Sequence, residues 1–233
     1  VSRKTAGEYD MVWGENDRRM PCWKSLYEKV AVFVNTLAEM KKMMYGQSLR
    51  LLDVGCGSCR LRDALENLSN VEYVGVDKDE SLPSAQYLIK GDFLKVRFDL
   101  KFDVIVMLNI LECLSFDEKV LFLKRAFELL KDDGCLILSV TNERNPIVVA
   151  LRALGMKKWE AIELEEIGLL LETTGFTIVE VTEAGGVFVP FWVDSVDVIS
   201  EEKAYFLNDR VHEPMREYFL VLICEKGGRC LKN

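Results

Sequence analysis

A chain of 233 residues, 49% hydrophobic and 29% charged, is long enough to bury one core without staples and has the composition of a globular protein. Its net charge of −8 argues against a broad basic footprint for nucleic acid and against attraction to anionic lipid, leaving room only for a local basic groove. No apolar run reaches membrane-spanning length and the first residues lack the apolar stretch of a signal peptide, so the expected location is cytoplasmic.

Residues 1–20 are polar, with Tyr9, Met11 and Trp13 among them, and read as a partly ordered arm. Pro21 opens a predicted helix that runs to about Tyr45 and stops at Gly46. Trp23, Leu26, Tyr27, Val30, Val34, Leu37 and Met40 share one stripe, which predicts packing on a sheet. A second role for arm and helix is a lid over a ligand.

Leu49 to Val54 form an apolar run short enough for a buried parallel strand, with Asp53 at its close. Gly55 and Gly57 then make a tight turn, and Leu61, Ala64, Leu65 and Leu68 recur at helical spacing. Strand, glycine turn and helix together bring bare backbone and unpaired N–H groups to an anionic ligand. Arg60 stands where a dinucleotide fingerprint needs its third glycine, so that fingerprint does not fit. Cys56 and Cys59 form a C-x-x-C within the turn. With no second C-x-x-C and one histidine, His212, no metal is expected there. Seven cysteines, several in apparent core elements, read as reduced thiols.

Val71 to Val76 is the second strand, ending in Asp77 and followed by Lys78. Ligands of open parallel sheets bind outside the carboxyl ends of the strands, and an aspartate there can accept from both hydroxyls of a ribose. Pro83 interrupts the next passage, leaving space for a helix of a turn or two before a third strand, Tyr87 to Lys90. Asp92 and Phe93 follow. They offer an acceptor and an apolar face that suit adenine, and Asp92 equally suits an ordinary turn.

Phe102 to Leu108 is a β-branched fourth strand leading to Asn109. Phe116 to Lys131 predicts a helix with Val120, Leu121, Leu123, Phe127 and Leu130 inward. Asp133-Gly134 turns into a fifth strand, Cys135 to Val140. Ile147–Leu154 and Leu164–Thr174 are further predicted helices, and Phe176–Val181 and Tyr218–Cys224 are strands six and seven. Between those strands, Gly185 and Gly186 open an insertion, 185–217. Its Val187, Phe188, Phe191 and Trp192 suit a pocket-lining loop or an assembly patch.

Several of these passages resemble the class I S-adenosylmethionine-dependent methyltransferases of small-molecule type. Asp53, Gly55 and Gly57 fit the D/E-x-G-x-G-x-G motif, with Cys59 in place of its last glycine. The stretch ELLKDDGCLILSV is similar to the family's helix, L-x-x-G-G, strand passage, and LEEIGLLLETTGFTIVEV is typical of its small-molecule members. Tyr9-Asp10 resembles a pair found in the N-terminal lid of such members. The resemblance covers about Leu49 to Cys224.

It implies an α/β fold: a Rossmann-like, doubly wound seven-stranded sheet, mostly parallel with an antiparallel last strand and helices on both faces. It also implies one domain over 1–233, with residues 1–46 as arm and possible lid and a cofactor-binding core at 49–226. The implied cofactor is S-adenosylmethionine, and the implied cofactor-binding residues are Asp53, Gly55, Cys56, Gly57, Asp77, Lys78, Asp92, Phe93, Leu108 and Asn109. No catalytic residue follows, because the cofactor's sulfonium makes the methyl electrophilic and the protein mainly positions the nucleophile.

Three functions stay open on the sequence. The first is methyl transfer to a small-molecule acceptor, with a homodimer compatible. The second is tRNA modification, since Tyr9, Arg18, Arg19, Trp23 and Val34 have some resemblance to wobble-uridine tRNA methyltransferases. The third is a noncatalytic cofactor-binding or scaffold protein.

Overall fold

The structure, a computed structural model, describes residues 21–65, 68–145, 148, 162–185 and 219–227, with the side chains of 21 and 22 left aside. In chain order the elements are α1 (Pro21–Tyr45), β1 (Leu49–Val54), α2 (Arg60–Ala64), β2 (Val71–Asp77), β3 (Leu88–Lys90), β4 (Phe102–Leu108), α3 (Phe116–Leu129), β5 (Leu130–Thr141), α4 (Leu164–Thr173), β6 (Phe176–Ala184) and β7 (Phe219–Lys226). Among the described residues, two single 3₁₀ turns, Leu68–Asn70 and Leu111–Cys113, complete them.

The strands form one seven-stranded sheet in the order β3-β2-β1-β4-β5-β7-β6. Strands β1 to β5 run parallel, and β7 pairs antiparallel with both β5 and β6. The sheet is therefore doubly wound with a reversed strand near one edge. The order reverses between β1 and β4, which opens a crevice at their carboxyl ends.

Alternation along the strands divides the core in two. Leu49, Leu51, Val104, Val106, Ile137, Phe219 and Val221 face one side, where Trp23, Leu26, Val30 and Val34 of α1 and Leu61 of α2 cover them. Leu52, Val54, Ile105, Met107, Leu136, Leu138 and Leu222 face the other, under Leu123 and Ala126 of α3 and Ile167, Leu170 and Leu171 of α4. Trp23 stands against Phe219 with ring centroids 4.8 Å apart, so the start of α1 is fixed above β7.

Local chemistry sets the element ends. The Gly46 N–H donates to the Lys42 carbonyl at 2.9 Å and Gly46 has φ 67°, the left-handed cap that stops a helix. Ser115 and Glu118 make a reciprocal capping box at the start of α3, satisfying two otherwise orphaned donors.

Several expectations are corrected. Met40 is exposed, and Ala31 and Ala38 fill its place in the buried stripe. The helix after the glycine turn is only Arg60–Ala64, because Leu65 leaves helical geometry. No helix forms between Asp77 and Leu88, where Pro83 and a short span leave the chain in turns. On the far side of the sheet, α3 ends at Leu129 and β5 begins at Leu130, so Asp133-Gly134 lies within the strand across a register shift rather than before it. A Cβ on Gly134 would lie 2.7 Å from the Asp103 carbonyl oxygen, which explains the glycine. Leu121 is exposed on the outer face of α3. Strand β6 continues to Ala184, and β7 covers Phe219 to Lys226. Residues 1–20, the Ile147–Leu154 helix apart from Val148, and the insertion beyond Gly185 lie outside the described residues.

Asp103 ties three elements together. Its carboxylate accepts from Lys41 Nζ of α1 and Lys131 Nζ of β5, each at 2.6 Å, and from the Arg50 N–H of β1 at 2.8 Å. Burial alone would raise its pKa, but these donors outweigh it and hold the carboxyl below its ordinary 3.8. The charged-group hydrogen bonds make Asp103→Ala costly by about 1.5–3 kcal/mol. That difference is expected in urea unfolding at neutral pH. It is lost as pH falls through and below 3.8, since a lowered carboxylate stabilises only while ionised.

Candidate active site

The carboxyl ends of β1, β2 and β4 open onto a cleft of about 1150 Å³, counted with its open mouth. Backbone geometry builds its floor. The Gly55 and Cys56 N–H groups both donate to the Val76 carbonyl, at 2.8 and 3.2 Å. The Gly57 N–H donates to Asp77 Oδ2 at 2.7 Å. Gly55 and Gly57 have φ 72° and 51°, left-handed conformations that cost a side-chain-bearing residue about 1–2 kcal/mol. A Cβ on Gly55 would also lie 2.7 Å from Ile110 Cδ1. Both positions therefore favour glycine, Gly55 by conformation and close approach, Gly57 by conformation.

Asp77 closes β2. Its Oδ2 accepts from Gly57 and its Oδ1 from the Asp79 N–H at 3.0 Å. A carboxylate has about four acceptor sites, so two remain for hydroxyl donors. Asp92 plays the turn role foreseen as its alternative: Oδ1 accepts from the Leu94 N–H at 3.0 Å and Oδ2 pairs with Lys95 at 3.0 Å. Phe93 is buried, its ring centroid 5.1 Å from that of Phe122, and both rings reach the cleft wall.

Of the ten residues expected at a cofactor site, nine line this one cleft: Gly55, Cys56, Gly57, Asp77, Lys78, Asp92, Phe93, Leu108 and Asn109. Asp53 does not. It is buried beneath the cleft, 3% exposed, and accepts the Tyr73 hydroxyl at 2.6 Å. Its role here is to support the floor. The neighbouring β2 strand carries Tyr73 two residues before Gly75, directly across from Asp53 in the ladder.

Other lining residues were not singled out in the sequence as cofactor ligands. Trp23 and Tyr27 come from α1, and Ile110, Leu114 and Phe122 come from the segment after β4 and from α3. Trp23 and Tyr27 lay within the predicted stripe, so their helical spacing was visible but not their reach to the strand ends.

A buried polar network follows β4. Asn109 has φ 52° and its Oδ1 accepts from Ser139 Oγ at 2.5 Å. Asn109 Nδ2 donates to Glu112 Oε2 at 3.2 Å, and the Thr141 N–H donates to Glu112 Oε1. Sequence offered no signal for this, since Glu112 sits in a 3₁₀ turn and Ser139 and Thr141, which close the network, come from β5. Burial pushes the Glu112 carboxyl up to about 7, against the lowering effect of those donors. Away from the cleft, Glu143, Glu163 and Glu165 bring carboxylate oxygens within 4.8 Å of one another, two of the three exposed.

Comparison with known proteins agrees with this geometry. A family model described as a methyltransferase domain matches residues 52–136, the span from β1 to β5 that builds the cleft. No curated protein matches the chain. Magnesium protoporphyrin IX methyltransferase from Synechocystis, solved with bound S-adenosylhomocysteine, aligns with a TM-score of 0.58 at 14% identity, over 95% of this chain and 94% of that one. The 1,6-didemethyltoxoflavin-N1-methyltransferase of Burkholderia thailandensis aligns at 0.57 and 17% identity, over 98% and 94%. The pyocyanin biosynthetic protein PhzM aligns at 0.55 and 16% identity, over 84% of this chain but only 55% of its own, so the chain spans about half of that protein. At such identities these are likenesses of fold.

The fold is that of the Rossmann-like class I methyltransferases, and the methyltransferase-domain match falls on its β1-to-β5 half. The cofactor that this fold implies is S-adenosylmethionine. The residues present fit that cofactor: the turn presents bare backbone, Asp77 keeps acceptor sites for hydroxyls, and an aromatic wall stands beside them.

The supporting carboxylate gives a pH prediction. Burial, only partly offset by the Tyr73 hydrogen bond and reinforced by Asp77, raises Asp53 from 3.8 to about 7. Between those values the folded chain holds a proton that the unfolded chain has released. Its contribution to stability is therefore full below about 4 and lost as pH rises through about 7. Asp53→Asn keeps an acceptor for Tyr73 and removes the titration. Urea unfolding at about pH 5 and pH 8 is expected to differ less in the variant than in the parent, with Glu112 supplying the slope that remains.

Proposed function

We propose that the chain transfers a methyl group from S-adenosylmethionine to a small, largely apolar acceptor. The observation that supports this most is one cleft lined both by the glycine turn and Asp77 and by the apolar Trp23, Tyr27, Ile110 and Leu114. The first set suits a nucleoside with hydroxyls; the second, taken as the acceptor end, suits an apolar molecule.

When bound, the cofactor supplies an electrophilic methyl on a sulfonium, which needs a nucleophile in line and little other chemistry. The chain's own residues do the positioning. In this reading Gly55 to Gly57 let backbone approach the amino-acid end, and Asp77 accepts the ribose hydroxyls through its spare acceptor sites. Lys78, Leu108 and Asn109 flank the path between, with Cys56 on the floor. Phe93 gives the adenine ring an apolar face. Asp92, already engaged by Leu94 and Lys95, has one acceptor site left on each oxygen and takes the adenine amino group through one of them.

Helix α1 closes the acceptor end. Trp23 is pinned by Phe219, and the Gly185 N–H donates to Ser25 Oγ at 3.4 Å, so the helix and the start of the 185–217 insertion meet. Residues 1–46 and that insertion together are the proposed cover of a single domain, with 49–226 as the cofactor-binding core. The mouth of the cleft carries Asp77, Asp79 and Asp92 against Lys78, which favours a neutral or cationic acceptor over polyanionic tRNA.

Asp77→Ala is expected to weaken S-adenosylhomocysteine binding at least about tenfold, the loss of about 1.5 kcal/mol or more that a charge-assisted hydrogen bond contributes. Isothermal calorimetry measures it, with circular dichroism to confirm an unchanged fold. Equal affinity in variant and parent would remove Asp77 from the cofactor site.

A further inference from the structure

The glycine turn holds a chemical feature that methyl transfer does not use. Cys56 and Cys59 are the two ends of the turn Cys56-Gly57-Ser58-Cys59, closed by the Cys59 N–H donating to the Cys56 carbonyl at 2.9 Å. Such a turn keeps its end Cα atoms within about 7 Å, and a disulfide spans about 4.4–6.8 Å between Cα atoms. The sulfurs are 3.6 Å apart, with the Cys59 thiol donating to Cys56. They need to approach by only about 1.5 Å to bond. Cys56 lines the cleft and is reachable from it, while Cys59 is buried behind it.

We propose that Cys56 and Cys59 form a redox-modification site, at which a peroxide entering the cleft joins them in a disulfide and thereby loosens the cofactor site. The loosening rests on the cofactor reading above; the disulfide does not. In the first step the Cys56 sulfur takes one oxygen from the peroxide as its thiol proton passes to the departing hydroxide; the O–O bond breaks and water leaves, giving a sulfenic acid. In the second step the Cys59 thiolate attacks the Cys56 sulfur. The S–S bond forms, the S–O bond breaks, and the hydroxide leaves as a second water with the Cys59 proton. Two thiols are oxidised by two electrons and one peroxide is reduced to two waters. The hydrogen bond between the two sulfurs lowers the Cys59 thiol's pKa and, with burial, raises that of Cys56, so Cys59 is the readier thiolate for this second attack.

The consequence for the cofactor follows from what Cys56 now touches. A Cβ on Gly75 would lie 2.8 Å from Cys56 Sγ, so the side chain is seated on the bare backbone of β2. Drawing it toward Cys59 lifts it from that seat and shifts the turn that carries Gly57, whose N–H is held by Asp77. By linkage, a cofactor that binds the reduced turn better must in turn slow its oxidation.

The test treats the whole chain with stoichiometric hydrogen peroxide and maps disulfides by peptide mass, alongside calorimetry with S-adenosylhomocysteine before and after. The expected result is a Cys56–Cys59 bond, a mass lower by two hydrogen atoms, and affinity at least tenfold weaker, restored by dithiothreitol. In Cys59→Ser the ratio of affinities before and after peroxide is expected to fall near one. Saturating S-adenosylhomocysteine is expected to slow bond formation at least tenfold. No bond between these residues, a bond from Cys56 to Cys113 instead, or unchanged affinity in the oxidised chain would overturn the proposal. A mapped Cys56–Cys59 bond in a chain that binds no S-adenosylhomocysteine even when reduced would uphold the dithiol site and overturn the cofactor reading and the coupling.

Discussion

The hydrogen bond from the Gly57 N–H to the Asp77 carboxylate is the link on which the cleft depends. It joins the turn after β1 to the end of β2, and it aims a carboxylate while leaving acceptor sites open. Everything around it serves that geometry. The Gly55 and Cys56 N–H groups share the Val76 carbonyl, so three successive amides of the turn are all anchored to β2. The parallel pairing of β1 with β2 and β4 then brings Asp77, Phe93 and Asn109 to one edge although they come from separate segments. Buried apolar faces on both sides of the sheet hold this edge rigid, since close-packed interiors resist displacement.

Two buried carboxylates support the cleft from behind. Asp53 stands under the glycine turn with Tyr73, and Glu112 stands under Asn109 with Thr141. Each costs desolvation, and each is raised to about 7. Each is also given donors, which is the condition for tolerating a buried acid. Their placement ties the two non-apolar walls of the cleft to β2 and β5.

Most of the fold was legible because its signals are local. The bounds of α1, β1 and β4 follow from apolar periodicity and from Gly46, and those of β2 nearly so. The strand-ending Asp77 and the turn of Gly55 and Gly57 marked one side of the cleft. Other features were hidden because they depend on distant partners. Asp53 looked like a ligand by motif position, yet Tyr73 of the neighbouring strand, two residues before its ladder partner Gly75, claims its carboxylate. The β5 strand begins at Leu130 because β4 pairs with it there, overriding the turn preference of Asp133-Gly134. Met40 and Leu121 were placed on a helical stripe, but each lies off the buried face of its helix and stays exposed. The network of Asn109, Glu112, Ser139 and Thr141 joins residues about thirty positions apart, beyond any local pattern.

The central claim is that one cleft holds the cofactor by Asp77 and turns its reactive sulfur toward Asn109 and α1. The measurement that tests it most directly is a crystal structure of the chain with S-adenosylhomocysteine. The account predicts both ribose hydroxyls within hydrogen-bond distance of Asp77, the adenine beside Phe93, and open space beyond the sulfur bounded by Trp23 and Tyr27. Cofactor bound outside this cleft, or lying in it with its ribose away from Asp77, would contradict it.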